Sequence, residues 1–410
     1  MSAPETATWN LMAAQEDPYN AIVQRVAPRP AMPGPLSGWP VAVKDVIDVA
    51  GLPTRCGSAV LAGAAPARHD ADVVARLRAA GAVVVAKTHT HEFAYGPTGD
   101  VSVDGPCHNP HDPRRITGGS SSGSAAVVAA GLVPLAVGTD TGCSTRTPAA
   151  LCGVVGFKPA HGTLPTTGVF PLSETLDHIG LLGRDINTVA VAFSALTGYL
   201  IDPAAPVEGT VVGRPTDAYW QVHDPEIAAA VDRAADALHA AGAVLREVRL
   251  PGIEELAATY PVIVGVEAYT THQRWLAQRP SDYQPATAAR LRAAAEYTAA
   301  DYVTAQRTRH RLGIELTRRL KTAGIDVLLL PTTPLRATPI GAEQVQAPDG
   351  TQVIVRPALL SLTLPFNLLG WPAMSVPAPG LTGLPVGIQV AAMHGGEQAV
   401  LAASARIVAG

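Results

Sequence analysis

Two short stretches concentrate residue types that build catalytic centres. Seven of the ten residues from Gly118 to Val127 are Gly or Ser, and Gly138-Thr-Asp-Thr-Gly-Cys-Ser-Thr-Arg-Thr-Pro148 lies just beyond them. Serine hydroxyls supply proton transfer or nucleophilic attack, while glycine lets backbone and substrate come close. A largely apolar run, Ala125 to Val137, follows the first stretch at once, which excludes a flexible linker. Upstream, Lys44 ends a strand-like segment, Val41 to Val43. A lysine there would ordinarily snorkel its ammonium to the surface or pair with Asp45.

Three other chemistries fit the same residues poorly. Gly119-Ser-Ser-Ser-Gly123 has the form GxSxG with Ser121 at its centre, but a nucleophile elbow follows a buried strand, and Asn109-Pro-His-Asp-Pro-Arg-Arg115 does not read as one. No GxxxxGK[ST] is present, so a phosphate loop is excluded. His89 and His91 form a lone HxH without a third ligand pattern, which is more often structural than metal-binding.

The elements that must position these groups read as α/β. Three segments, Asp72 to Ala86, Pro225 to Val248 and about Arg309 to Leu330, each run from a helix through a turn glycine (Gly81, Gly242, Gly324) into an apolar strand. Asp224 before Pro225 fits an N-cap followed by proline in the first turn. Such alternation implies a sheet covered on both faces and largely parallel. The Gly/Ser loop should open a helix over 122–131, followed by strand 133–137, a helical turn over 147–152 and strand 154–157. Residues 1 to about 27 read as one or two short helices, 202–216 as a surface crossing, 253–322 as mostly helical, 331–356 as irregular, and 384–390 as a strand.

Composition narrows the class. Charged residues make up only 16% and hydrophobic ones 47%, which suits a compact buried core. A net charge of −4 offers no field for nucleic acid or anionic membrane. The four cysteines, Cys56, Cys107, Cys143 and Cys152, lack CxxC spacing and are expected to be reduced. With no signal peptide and no eighteen-residue apolar run, a cytoplasmic protein is expected.

Taken together, the motifs resemble the amidase signature family of serine hydrolases. The resemblance rests on Gly118-Gly-Ser-Ser-Ser-Gly, Gly138-Thr-Asp-Thr-Gly-x-Ser-x-Arg-x-Pro-Ala149 and Cys152-Gly-Val-Val-Gly-Phe-Lys-Pro159. Flanking blocks agree: Pro40-Val-Ala-Val-Lys-Asp, Ala86-Lys-Thr-His-Thr-His-Glu-Phe-Ala-Tyr-Gly96, Leu176-Asp-His-Ile-Gly180, Pro365-Phe-Asn-Leu-Leu-Gly and Leu384-Pro-Val-Gly-Ile-Gln. It covers about residues 37–197 and 326–390. The fold it implies is a single α/β/α sandwich around a large mixed, mainly parallel sheet. Residues 1–36 would form an N-terminal helical segment, 37–197 the signature core, 202–330 a helical variable region and 331–410 the rest of the core.

The resemblance implies a Ser-cisSer-Lys triad, with Ser144 as nucleophile, Ser120 as the bridging serine after a cis peptide from Gly119, and Lys44 as base. The oxyanion hole would be the backbone amides of Thr141, Gly142, Cys143 and Ser144. Asp140 and Arg146 would brace the loop, and Tyr95, Gly96 and Thr98 would line the acyl pocket. Cys143 departs from the family's usual glycine, which leaves open a thiol nucleophile. The lysine must be neutral to accept a proton, whereas at an ordinary pKa only about one in 2500 is neutral at pH 7. Burial is what would lower that pKa. The implied reaction is hydrolysis of a small carboxylic amide through a seryl acyl-enzyme, without cofactor or metal, in a chain that could form a homodimer. The alternative is the glutaminase component of a tRNA-dependent amidotransferase that passes ammonia to a partner. Substrate choice would lie in 253–322 and 340–356, where Tyr260, Tyr269, Trp275, Tyr297, Arg307 and Arg311 are candidates.

Overall fold

The computed structural model describes residues 17–27 and 29–409. The strands are β1 (Ile22–Arg25), β2 (Pro40–Lys44), β3 (Val83–Thr88), β4 (His108–Asn109), β5 (Asp112–Ile116), β6 (Leu135–Asp140), β7 (Val155–Lys158), β8 (His178–Gly183), β9 (Val211–Pro215), β10 (Val244–Val248), β11 (Val327–Pro331), β12 (Gln344–Gln346), β13 (Gln352–Ile354), β14 (Ala373–Pro377) and β15 (Gly387–Ala392). The helices are α1 (Asp72–Ala79), α2 (Ser122–Ala129), α3 (Arg146–Cys152), α4 (Ile186–Thr197), α5 (Pro225–Ala240), α6 (Ile253–Ala258), α7 (Tyr260–Gln278), α8 (Pro285–Ala294), α9 (Ala299–Ala323), α10 (Val355–Ser361), α11 (Leu364–Leu368) and α12 (Glu397–Ala409).

Eleven strands form one mixed sheet in the order β1-β3-β2-β6-β8-β7-β14-β15-β11-β9-β10. Parallel ladders join β2 to β3 and β6, and β9 to β10 and β11. In β2-α1-β3 and β9-α5-β10 the intervening helix returns the chain to the same end of the sheet, as a parallel pair requires. Antiparallel ladders make the remaining contacts, including β7–β8 and β14–β15, whose links contain no α-helix. Helix–strand alternation therefore announced the parallel pairs but not the antiparallel middle of the sheet. Strands β2, β3, β6, β7, β8, β11 and β15 are buried throughout, because helices cover both faces.

The helix–turn–strand units form as read, with Gly81, Gly242 and Gly324 at positive φ. Asp224 caps α5 by accepting from the amides of Glu226 and Ile227. Helix α9 starts earlier than the sequence pattern suggests, at Ala299, because Thr298 and Asp301 form a reciprocal capping box.

Three readings need correction. The expected N-terminal helix gives way over Ile22–Arg25 to an edge strand that pairs antiparallel with β3; residues 1–16 lie outside the described chain. The Asp17 carboxylate accepts from the amides of Tyr19, Ala21 and Ile22, turning the chain into extended form. The crossing at 202–216 contains β9, which the parallel partners β10 and β11 recruit into the sheet. The irregular stretch 331–356 contains the β12–β13 hairpin, turned at Gly350 (φ 90°).

Candidate active site

The two chemical stretches and Lys44 meet at the ends of β2 and β6, which run side by side and parallel. Lys44 is fully buried. Its Nζ donates to Ser120 Oγ at 2.7 Å and to Thr139 Oγ1 at 2.8 Å. Asp45, the ordinary candidate for its partner, is taken by Lys87 at 2.8 Å instead. Burial pulls the Lys44 pKa from 10.5 down to about 7, against the opposing pull of Asp177 and Asp140. Position 44 is therefore an amine that half-ionises near neutrality. Thr139 was not singled out from the sequence; it sits in the motif Gly138-Thr-Asp-Thr-Gly, but only the β2–β6 register reveals which side chain meets the lysine.

Ser120 opens the turn into α2 after a cis peptide bond from Gly119. The Ser120 carbonyl accepts from His91 N at 3.1 Å, and the Ser144 carbonyl accepts from Ser121 N at 3.1 Å, which ties the two serine loops together. Ser121 itself, the centre of the formal GxSxG, spends its hydroxyl on the Thr139 carbonyl at 3.1 Å. His89 bonds Ser122 and the Gly105 carbonyl, while His91 accepts from Gly99 N, so the two rings serve different loops.

The loop from Thr141 to Thr145 connects β6 to α3 and carries Ser144. No turn or loop carbonyl among the described residues accepts from the amides of Thr141, Gly142, Cys143 or Ser144. Below the loop, Asp140 and Arg146 are completely buried and paired in bidentate fashion, Nε–Oδ2 at 3.0 Å and Nη2–Oδ1 at 2.9 Å. Burial pushes the Asp140 carboxyl upward, but Arg146, Lys158 and Asn367 together outweigh it and hold the group below the usual carboxylate range. Asp140 also accepts from the amides of Thr145 and Arg146. Arg146 donates further to Gln389 Oε1, Asn367 Oδ1 and the carbonyls of Thr363 and Gly142. Gln389 and Asn367 stand in the downstream motif blocks, yet their link to Arg146 emerges only when β14 and β15 join the sheet.

Cys143 is buried, with Sγ 3.6 Å from the Gly119 carbonyl, and burial pushes its thiol up to about 12. A thiolate nucleophile is thereby disfavoured. Thr141 Oγ1 donates to Asp177 Oδ1 at 2.6 Å, and Asp177 Oδ2 accepts from the amides of Leu172 and Ser173. Burial raises the Asp177 carboxyl to about 6. The same 172–177 loop is held from the helical region by Glu267, which accepts from Ser173 Oγ, Thr175 Oγ1 and Tyr302 OH.

A cavity of about 420 Å³ is walled by Tyr95, Tyr219, Tyr260, Tyr297, Arg290 and Arg356 among others. Its link to the serine loop is Tyr260: a Cβ added at Gly142 would collide with the Tyr260 hydroxyl. Of the expected pocket residues, Tyr95 lines the cavity. Gly96 packs under the His91 ring, and Thr98 Oγ1 lies 3.5 Å from His91 Nδ1. Pro97 accepts from Gly119 N at 2.7 Å, so segment 95–99 wraps the glycines before Ser120. Of the variable-region candidates, Tyr260 and Tyr297 reach the cavity, whereas Trp275 stacks on Phe170. Arg307 is exposed, and Arg311 is exposed and paired with Glu255 and Glu315. The arginines that reach the cavity are Arg290 and Arg356. A wider groove of about 790 Å³ runs along α9; neither it nor the smaller cavity is lined by Lys44, Ser120 or Ser144, and it is the smaller one that includes Tyr260 and Tyr95 in its wall.

A sheet-borne buried lysine against a cis-linked serine, below a loop carrying a second serine, belongs to a recognisable class of hydrolase. The Amidase family model matches residues 14–401, and the chain belongs to that family. It is 37% identical to AtzE, a component of the 1-carboxybiuret hydrolase of Pseudomonas sp. (strain ADP), over 90% of this chain and 83% of that protein. It is 33% identical to a Glutamyl-tRNA(Gln) amidotransferase component of Methanospirillum hungatei JF-1, over 92% and 93%. A solved structure described as an amidase superposes with a TM-score of 0.86 at 36% identity, covering 98% of this chain and 93% of that one. The protein is an enzyme that hydrolyses amide C–N bonds. Among the described residues no helix is long and apolar enough to cross a membrane.

Proposed function

We propose that Lys44, Ser120 and Ser144 form the proton relay of a cytoplasmic amidohydrolase acting on a small carboxylic amide. The observation that carries this reading is the 2.7 Å contact between Ser120 Oγ and a fully buried lysine whose pKa is drawn down to about 7. Neutral Lys44 takes a proton from Ser120, which takes one from Ser144, and the Ser144 oxygen attacks the amide carbon. The oxyanion sits on the free amides of Thr141 to Ser144, where one such donor contributes about 2.7 to 4 kcal/mol. The relay then runs backwards to protonate the leaving nitrogen, the C–N bond breaks, and water releases a carboxylate from the seryl ester. Asp140 and Arg146 hold the loop in place during both steps. All groups invoked lie on one chain, whether or not it forms the homodimer implied by the resemblance.

The test is ammonia release from a panel of aliphatic, aromatic, carboxylated and ureido amides and glutamine, measured beside Ser144→Ala. Release that disappears in the variant supports the relay; release that survives sinks the assignment of Ser144. The similarity to the amidotransferase component favours a second reading, a glutaminase that hands ammonia to a partner. Glutamine turnover that is negligible alone and rises when a partner protein is supplied would select it.

A further inference from the structure

The cavity beside the serine loop contains two positive charges and nothing to neutralise them. Arg290 projects from α8 and Arg356 from α10, both half-buried. The cavity wall includes no Asp or Glu, and among the described residues neither guanidinium forms an ion pair. Arg290 is anchored: Nε donates to the Ala286 carbonyl at 3.0 Å, Nη1 donates to the Tyr95 carbonyl, and the guanidinium carbon lies 5.4 Å above the Tyr95 ring. Its remaining nitrogen, Nη2, has no such partner. Arg356 is less satisfied still, since its Nε is buried without any acceptor. Burial and the repulsion of Arg356 pull the Arg290 pKa down to about 10, and the opposing pull of Tyr95, Glu92 and Asp100 does not offset them. Two guanidiniums that repel each other across a tyrosine-lined cavity, with donors unspent, suit a planar anion that accepts from both.

Resting on the amide-hydrolase reading of this site, we infer that the cavity receives an amide substrate bearing a remote carboxylate, bound by Arg290 and Arg356, and carrying no amino group beside that carboxylate. The second half follows from the missing acid. An ammonium next to the carboxylate would enter a wall of tyrosines, alanines and two guanidiniums, with no acidic side chain to receive it, and would leave a charge desolvated and repelled. The cavity therefore separates an ω-carboxy amide from glutamine, which differs from glutaramate only by that amino group. It also rejects the neutral alkyl amide, which leaves both cations unpaired. Two of its lining residues tie the cavity to the serine loops: Tyr260, whose hydroxyl lies against Gly142, and Tyr95, which precedes the Pro97 carbonyl that accepts from Gly119 N.

The experiment compares malonamate, succinamate and glutaramate with their neutral alkyl amide twins and with glutamine. The expected result is a kcat/KM at one chain length about 100-fold above the neutral twin, and glutaramate at least tenfold above glutamine. In Arg356→Gln the ratio of carboxylated to neutral kcat/KM falls by at least tenfold, and Arg356→Lys recovers part of it. Neutral amides equal to or better than their carboxylated twins at every length overturn the inference, as does a parallel loss of both in Arg356→Gln. Glutamine outpacing glutaramate overturns its second half. A direct binding arm keeps the site separate from the relay: malonate, succinate and glutarate are titrated calorimetrically into Ser144→Ala, with and without Arg356→Gln. Saturable binding weakened at least tenfold by the second change upholds the cavity even where no amide is turned over, and absence of binding by all three acids overturns it.

Discussion

The floor of the site and its wall use arginine in opposite ways. Arg146, in the floor, is completely buried and engages Asp140, Gln389, Asn367 and two carbonyls, so its donors are largely committed to protein groups. Arg290 and Arg356, in the wall, face a cavity with no acid in its lining and retain unspent donors. A saturated buried cation fixes geometry, because removing any partner leaves an unpaired charge in a dry interior. An unsaturated cation at a cavity is free to recognise a ligand. In the proposed reaction the floor is the part that any substrate meets in the same way, and the wall is the part that distinguishes one amide from another.

That division can be broken experimentally. If the floor performs the chemistry, Ser144→Ala lowers kcat by roughly 10⁴-fold or more on every amide tested, as loss of a nucleophile does elsewhere. A loss confined to one amide class would move Ser144 to the wall. Arg146→Gln, which strands Asp140 in the interior, is expected to destabilise the fold by about 3 to 5 kcal/mol. Urea denaturation followed by circular dichroism measures this, and a change below about 1 kcal/mol, on the order of a surface pair, would show that the floor is not saturated as described. The pH profile sharpens the role of the lysine. Lys44 must be neutral to act and its pKa lies near 7, so kcat/KM for a neutral amide should fall about tenfold per unit below that pH and level off above it. A profile flat from pH 5 to 9 would remove Lys44 from the relay. The smallest effect should come from Arg311→Ala, whose pairs with Glu255 and Glu315 are exposed and screened by solvent and lie outside the cavity lining, so neither stability nor activity should change measurably. A substrate-dependent change in kcat/KM there would contradict the assignment of the wall to Arg290 and Arg356.

The sequence carried the floor well because its parts are local. Gly118 to Gly123, Gly138 to Arg146 and Lys44 each belong to a short motif, and the loop, helix and strand that present them form from adjacent residues. The wall was less legible. Arg307 and Arg311 were as plausible as any arginine in the helical region, but α9 turns them to solvent. Arg290 and Arg356 lie on different helices, and α10 reaches the cavity only after the β12–β13 hairpin has turned the chain. Likewise the strand at Ile22–Arg25 and the antiparallel centre of the sheet depend on partners far along the chain, which pattern within one segment does not encode.

What the amino-acid sequence determined by itself was therefore the α/β alternation and, through the motifs that resemble the amidase signature family, a candidate reacting set of Lys44, Ser120 and Ser144. What only the tertiary structure decided was electrostatic: that Lys44 is buried against Ser120 with its pKa drawn down toward neutrality, which arginine was saturated, and which two were left facing a cavity. Charge acquires its meaning from burial and from the nearest opposite charge, and both are fixed only when distant segments pack together.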